Sequence, residues 1–364
     1  MLVLMSAILW GPFTACDRWK KDDVFTAEEA KSEIRMAGQQ VRRNMDDMME
    51  VKAMQALQYL MKLLSGEGDT GPKPDPDTKS PNRFCLTALY LEIFELTGLT
   101  KEIAGKDEHH GVYRYNFNTG SFDLVDFGGN YLRYIFPAND AARENRMHNA
   151  SFTIENLAFM TVTYPSKQEP FTEDLLISAS TDLVVDNQTL STFSHEAGFT
   201  TSGLPVATDM KLTMHPYQLR LSLSGTGRDY SSTMSLTKND QTLMSYHLSL
   251  RYNVERDAAD RVAGLVQIVP LRFEGGINMV GVRSCEQPHD IECMNPHLDI
   301  DVKQTVYNKS LGHLAYGLQC DPDTGMHHPT MQIVYKDGTS DPLTIIFDDK
   351  PTGITGSLSR IMNP

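Results

Sequence analysis

Residues 111–125 read GVYRYNFNTGSFDLV. In the runs 113–117 and 122–125, large apolar side chains are interleaved with polar ones, and Asn118-Thr119-Gly120 stands between them. A period near two on both sides of a short glycine-containing turn is the pattern of a strand, a tight turn and a returning strand. The same grammar recurs downstream. Residues 234–237 lead through Lys238-Asn239-Asp240 into 243–252, and residues 331–335 lead through Lys336-Asp337-Gly338 into 343–347. Runs at 183–185, 211–214, 219–224, 265–269 and 300–306 add further strands. In GGNYLRYIFP, residues 128–137, Tyr131, Arg133 and Ile135 alternate with Leu132, Tyr134 and Phe136, which predicts a strand after a glycine bend. Residues 105–364 are therefore expected to hold a large antiparallel sheet, curved or folded into a sandwich.

Upstream of residue 105 the period is near 3.6. Thr26-Ala27-Glu28-Glu29 fits a capping box, in which the Thr26 hydroxyl accepts from the Glu29 amide and the Glu29 carboxylate reaches back. Ala30, Ile34, Ala37, Val41, Met45, Met48, Ala53, Leu57, Leu60 and Leu64 follow at spacings of mostly three or four. They form one apolar stripe, on a long helix or on two helices broken near Glu50. The methionines among residues 36–61 read as ordinary core filler. Residues 65–81, SGEGDTGPKPDPDTKSP, have almost nothing to bury and read as a mobile loop. A second helix is expected over 82–96. Residues 26–104 thus form a helical hairpin whose apolar stripes need a partner, and the sheet supplies one. The expected class is α+β, with the hairpin packed on the sheet and residues 105–364 forming one compact unit with the helices.

The chain begins with an uncharged apolar run over residues 2–10, far shorter than the ~20 residues that span a bilayer. It ends in Phe13-Thr14-Ala15-Cys16. This layout resembles the lipobox of bacterial lipoproteins, with Phe13 in the place usually held by Leu. The resemblance implies a signal peptide over 1–15, removal of that peptide, and lipid such as palmitate on Cys16. Acyl chains buried at about 0.8 kcal/mol per CH₂ then tether a body that needs no spanning helix. The following Cys16-Asp17-Arg18-Trp19-Lys20-Lys21-Asp22-Asp23 resembles the surface-export signal of Bacteroidota lipoproteins. That resemblance implies a tether over 16–25, an outer-membrane location facing the cell exterior, and an outer-membrane protein as a candidate partner.

Composition narrows the partners. A formal net charge of −14 repels phosphate backbones, which excludes nucleic acid as an expected ligand. Both tryptophans, Trp10 and Trp19, precede the body. A body without Trp offers fewer of the flat platforms that grip sugars.

Cys285, His289, Cys293 and His297 stand four residues apart, with Pro288 and Pro296 interrupting any helix. Two thiolates and two imidazoles are a ligand set for Zn²⁺. In an exported protein a Cys285–Cys293 disulfide is the preferred reading, with Cys85 and Cys320 left over. The doublets His109-His110 and His327-His328, and Asp321-Pro322-Asp323-Thr324-Gly325, read as solvated loop residues without a complete ligand set. His195-Glu196-Ala197-Gly198-Phe199 lacks the second histidine of a zinc protease, and Gly225-Thr226-Gly227 lacks the lysine of a phosphate loop. No Gly-x-Ser-x-Gly elbow occurs. No residue pattern therefore argues for an enzyme or implies a cofactor. The expected role is a lipid-anchored binding or assembly module, ahead of a hydrolase of an extracellular polymer and a structural subunit of a surface appendage.

Overall fold

In the computed structural model, residues 25–65, 110–129, 131–164, 171–201, 203–254, 258–285, 290–320 and 327–343 are described. The capping box forms as its spacing requires. The Glu29 amide donates to Thr26 Oγ1 at 3.3 Å, and the Thr26 amide donates to Glu29 Oε2 at 2.9 Å. Helix α1 (Ala27–Met49) follows, and Val51 in extended conformation separates it from α2 (Lys52–Leu64). The expected second helix over 82–96 lies outside the described residues, as do the loop 66–81 and the N-terminal 24 residues. The observed architecture is mostly β.

Contacts divide the chain into two units where one was expected. One comprises Met45–Ser224 with Leu236–Gln241, and the other Met1–Asn44, Gly225–Ser235 and Thr242–Pro364. The strands of each unit form one sheet rather than two facing ones.

The Met45–Ser224 unit holds β1 (Gly111–Asn116), β2 (Ser121–Phe127), β3 (Tyr131–Phe136), the short α3 (Asp140–Glu144), β4 (Ala150–Tyr164), β5 (Phe171–Val185), β6 (Gln188–Phe199), β7 (Pro205–Met214) and most of β8 (Tyr217–Thr226). Their order is β8-β7-β6-β5-β4-β3-β1-β2. Every pairing is antiparallel except β1 with β3. The turn between β5 and β6 is set by Asp186 and Asn187, whose φ values of 51° and 62° give the left-handed twist that a two-residue hairpin needs. Directly opposed residues share a face, so register defines the core. Tyr134, Phe152, Leu183, Ser191, Met214 and Tyr217 form one continuous buried row from β3 to β8. The next row, Thr153, Asp182, Thr192, Thr213 and Gln218, is polar and faces the other way. Helix α2 packs on β2, β5 and β6 and buries Ala53, Leu57 and Leu60 as its stripe predicts, with Leu63 rather than Leu64 completing it. Its polar rim is held by Lys52 to Asp186 at 2.6 Å and by Tyr59 Oη donating to Asp140 at 2.8 Å.

In the other unit, most of β9 (Asp229–Lys238) and of β10 (Gln241–Tyr252), with β11 (Ala259–Ile268), β12 (Leu271–Asn278), β13 (Leu298–Gln304), β14 (Lys309–Cys320), β15 (His327–Val334) and β16 (Ser340–Pro342), follow chain order. Helices α4 (Met279–Arg283) and α5 (Ile291–Met294) lie between β12 and β13. β16 is short, and of the strand expected over 343–347 residues 344–347 lie outside the described residues. Ala30, Ile34 and Ala37 of α1 share a core with Leu271, Phe273, Ile300, Val302, Leu314 and Ile333. The expected covering of a sheet face by the first apolar stripe is thus met within this unit. The opposite face is charged, with Arg272 and Lys303 paired to Glu274 at 2.9 and 3.8 Å. On the apolar face Gly264 stands directly opposite Gly275. A Cβ on Gly275 would run into the Asp299 carbonyl oxygen, and its φ of 150° suits glycine. The missing side chains leave a dent of about 20 Å³ lined by Leu248, Val262, Phe273, Ile277 and Ile300, room for about one water.

Candidate functional site

Strand β2 stands at the end of its sheet and has no neighbour on its outer side among the described residues. Its inner side pairs with β1 along its whole length, from Asn116 opposite Ser121 to Gly111 opposite Phe127. Asp126 lies opposite Val112 and Leu124 opposite Tyr113, so Val125 is the extra residue of a β-bulge. The hairpin turn is fixed by the Asn118 amide donating to Asn116 Oδ1 at 2.9 Å and by Arg146 donating to Asn118 Oδ1 at 2.6 Å.

Register assigns the β2 side chains to faces. Phe122, Leu124 and Phe127 lie opposite Tyr115, Tyr113 and Gly111, and Tyr113 in turn lies opposite Tyr134 of the buried row. They therefore belong to the apolar face of the sheet. Asp123 and Asp126, opposite Arg114 and Val112, belong to the polar face. An aromatic cluster backs the apolar side. Tyr113 stacks on Tyr134 with centroids 5.3 Å apart, Phe122 meets Tyr134 edge-on at 5.3 Å, and Tyr115 meets Phe122 at 5.6 Å. Burial pushes the phenols of Tyr113 and Tyr134 above their ordinary value, so both remain neutral and act as apolar bodies at physiological pH. Yet this face is open at Leu124, 41% exposed, and at Phe127, 65% exposed, and the bulge residue Val125 is 48% exposed. Asp123 accepts from Asn116 Nδ2 at 2.8 Å, and Asp126 accepts from the Phe127 amide at 2.9 Å. Neither has an ion-pair partner among the described residues.

The other residues singled out in the sequence are not gathered into a reactive site. The sulfurs of Cys285 and Cys293 are bonded to each other at 2.05 Å, so neither is a thiolate that a zinc ion would need. His297 packs its ring against the Gly281 backbone, and His289 lies outside the described residues. His195 and Glu196 sit on β6, a strand and not a protease helix, with the imidazole Nε2 3.3 Å from the Leu176 carbonyl oxygen. His110 is buried, its Nδ1 without a hydrogen-bond partner among the described residues, and His327 and His328 begin β15. Gly225 and Thr226 end β8 with Gly227 in the turn. No group of three or more metal-ligating side chains occurs among the described residues. Cys16, Cys85, His109 and 321–325 lie outside them. Sequence reasoning identified the 111–125 hairpin but missed that its second strand is terminal. The succession Phe122, Asp123, Leu124, Val125, Asp126, Phe127 marks a strand with an apolar and an acidic side and carries no signal of its place in the sheet. Compared with known proteins, the chain matches no family model, no curated protein and no solved structure.

Proposed function

We propose that this chain is a lipid-anchored binding or assembly module of the bacterial outer-membrane surface, which offers the open edge β2 to a protein partner. The anchor rests on Phe13-Thr14-Ala15-Cys16 and the charged stretch after it. The observation that carries the binding role is β2 itself: a seven-residue terminal strand with Leu124, Val125 and Phe127 exposed. A terminal strand presents a row of unpaired N–H and C=O groups, and an extended segment can add to it as a further strand. Each net hydrogen bond then contributes about 0.5–1.5 kcal/mol, and each good cross-strand side-chain pair about 0.2–1 kcal/mol. The bulge at Val125 and the two aspartates are devices that blunt indiscriminate edge pairing. Together they favour a selected partner over generic association.

Crosslinking in intact cells tests the reading. The variant Leu124→Lys, which places a charge in the middle of the apolar side of β2, should lose the principal crosslinked partner of the parent protein while remaining in the membrane fraction. An unchanged partner profile would sink the role assigned to this edge.

A further inference from the structure

The faces of β2 say what the partner must look like, granted the reading of the edge just given. A strand added outside β2 continues both faces of the sheet, because directly opposed residues point the same way. On one face the new strand meets Phe122, Leu124 and Phe127, and on the other it meets Asp123 and Asp126. We infer that the occupant of this edge is an extended protein segment whose alternate residues are apolar and cationic, with Lys or Arg set against Asp123 and Asp126.

Three features support that chemistry. Opposite charges across a strand pair are favourable and like charges unfavourable, by up to about 1 kcal/mol a pair. Of the basic side chains on the polar face of the neighbouring strands, Arg133 donates to Thr153 Oγ1 at 3.2 Å, and Arg114 lies opposite Asp123 on the inner strand without an ion pair to it among the described residues. Among the described residues the two carboxylates meet only Asn116 and the Phe127 amide, so a cationic strand added outside β2 would supply their first ion pairs there. Finally, a second copy of this chain is a poor occupant. Antiparallel addition of β2 to β2 would bring the two aspartates of each copy to the same face, between molecules that each carry a formal charge of −14.

The test uses the full chain in detergent with three labelled peptides of equal length, alternating Val with Lys, Val with Glu and Val with Ser, followed by fluorescence anisotropy at low and high salt. The Val/Lys peptide should bind at least about tenfold more tightly than the Val/Glu peptide, a preference that Asp123→Asn with Asp126→Asn collapses and that added salt weakens. Removing the same two charges at Glu28 and Asp46, exposed positions on α1, should leave the preference intact, which separates local from overall attraction. Leu124→Lys should abolish binding of all three. If the Val/Ser or Val/Glu peptide binds as well as Val/Lys, and Leu124→Lys still abolishes it, the edge is a binding site but the cationic partner is wrong. If peptide binding is indifferent to Leu124→Lys, the edge reading itself fails. A concentration-dependent oligomer lost in Leu124→Lys would replace the foreign segment with a second copy and overturn the inference.

Discussion

His195 points to the apolar side of β6, opposite Ala179 and Met210, both buried. Desolvation pulls its pKa below the ordinary 6.5, with the Leu176 carbonyl opposing the shift. The neutral ring is the form that the folded state favours. Its contribution is present above pH 6.5 and is lost as the pH falls through the lowered folded value, because the unfolded chain binds the proton first. Unfolding free energy measured against pH should therefore fall below about pH 6.5 in the parent protein. His195→Gln should flatten that fall, and equal slopes for the two proteins would remove the residue from the account. Local chemistry of this kind is legible in a sequence only when the partners are near in the chain. Thr26 and Glu29, three residues apart, announced their capping box. The Cys285–Cys293 bond, at a separation of eight, was the preferred pairing. The environment of His195 was not legible, since Met210 and Leu176 come from other strands.

Helix α1 shows how far a stripe reaches. Ile34 is fully buried among Leu271, Phe273 and Ile333, whereas Met36, two residues on, is 51% exposed. Ile34→Ala should cost about 2–5 kcal/mol through lost transfer energy and the cavity left behind. Met36→Ala should stay within roughly 0.5 kcal/mol. Urea midpoints of the two variants check this, and similar midpoints would mean that α1 does not seal the sheet. The stripe and the break near Glu50 were readable because a helix repeats its geometry locally. Strand existence was equally readable at 111–125, 211–214 and 219–224. Strand length was not: β4 and β5 run for 15 residues each, through Ser, Thr and Asp that resemble loop composition. Nor does a period of two reveal whether a strand is interior or terminal. That depends on which strands follow it across the sheet, and β2 became an edge because β3 returned to the far side of β1.

For the whole molecule, acidity and a mostly β body were evident from composition and periodicity. Division into two units was not, because α1 and β8 run through the boundary without any shift in composition. The proposed anchor makes a prediction at this scale. Cys16→Ala should move the protein from the membrane fraction to the soluble fraction without altering its unfolding midpoint; Phe25, the first described residue, is itself tied to the body, its amide donating to the Ser310 carbonyl at 3.1 Å. Retention in the membrane fraction would end the lipoprotein proposal.

From β4 to β8 in one unit and from β10 to β16 in the other, each strand pairs with the one just before it along the chain. A polypeptide is delivered N-terminus first, so every strand in these runs finds its partner already present when it emerges. Where neighbours are joined by two-residue turns, as β5 and β6 are at Asp186-Asn187, the separation between contacts stays short, which favours rapid folding. The order of synthesis and the order of assembly then coincide, and within each unit a half-delivered sheet exposes one fresh edge to mispairing at a time.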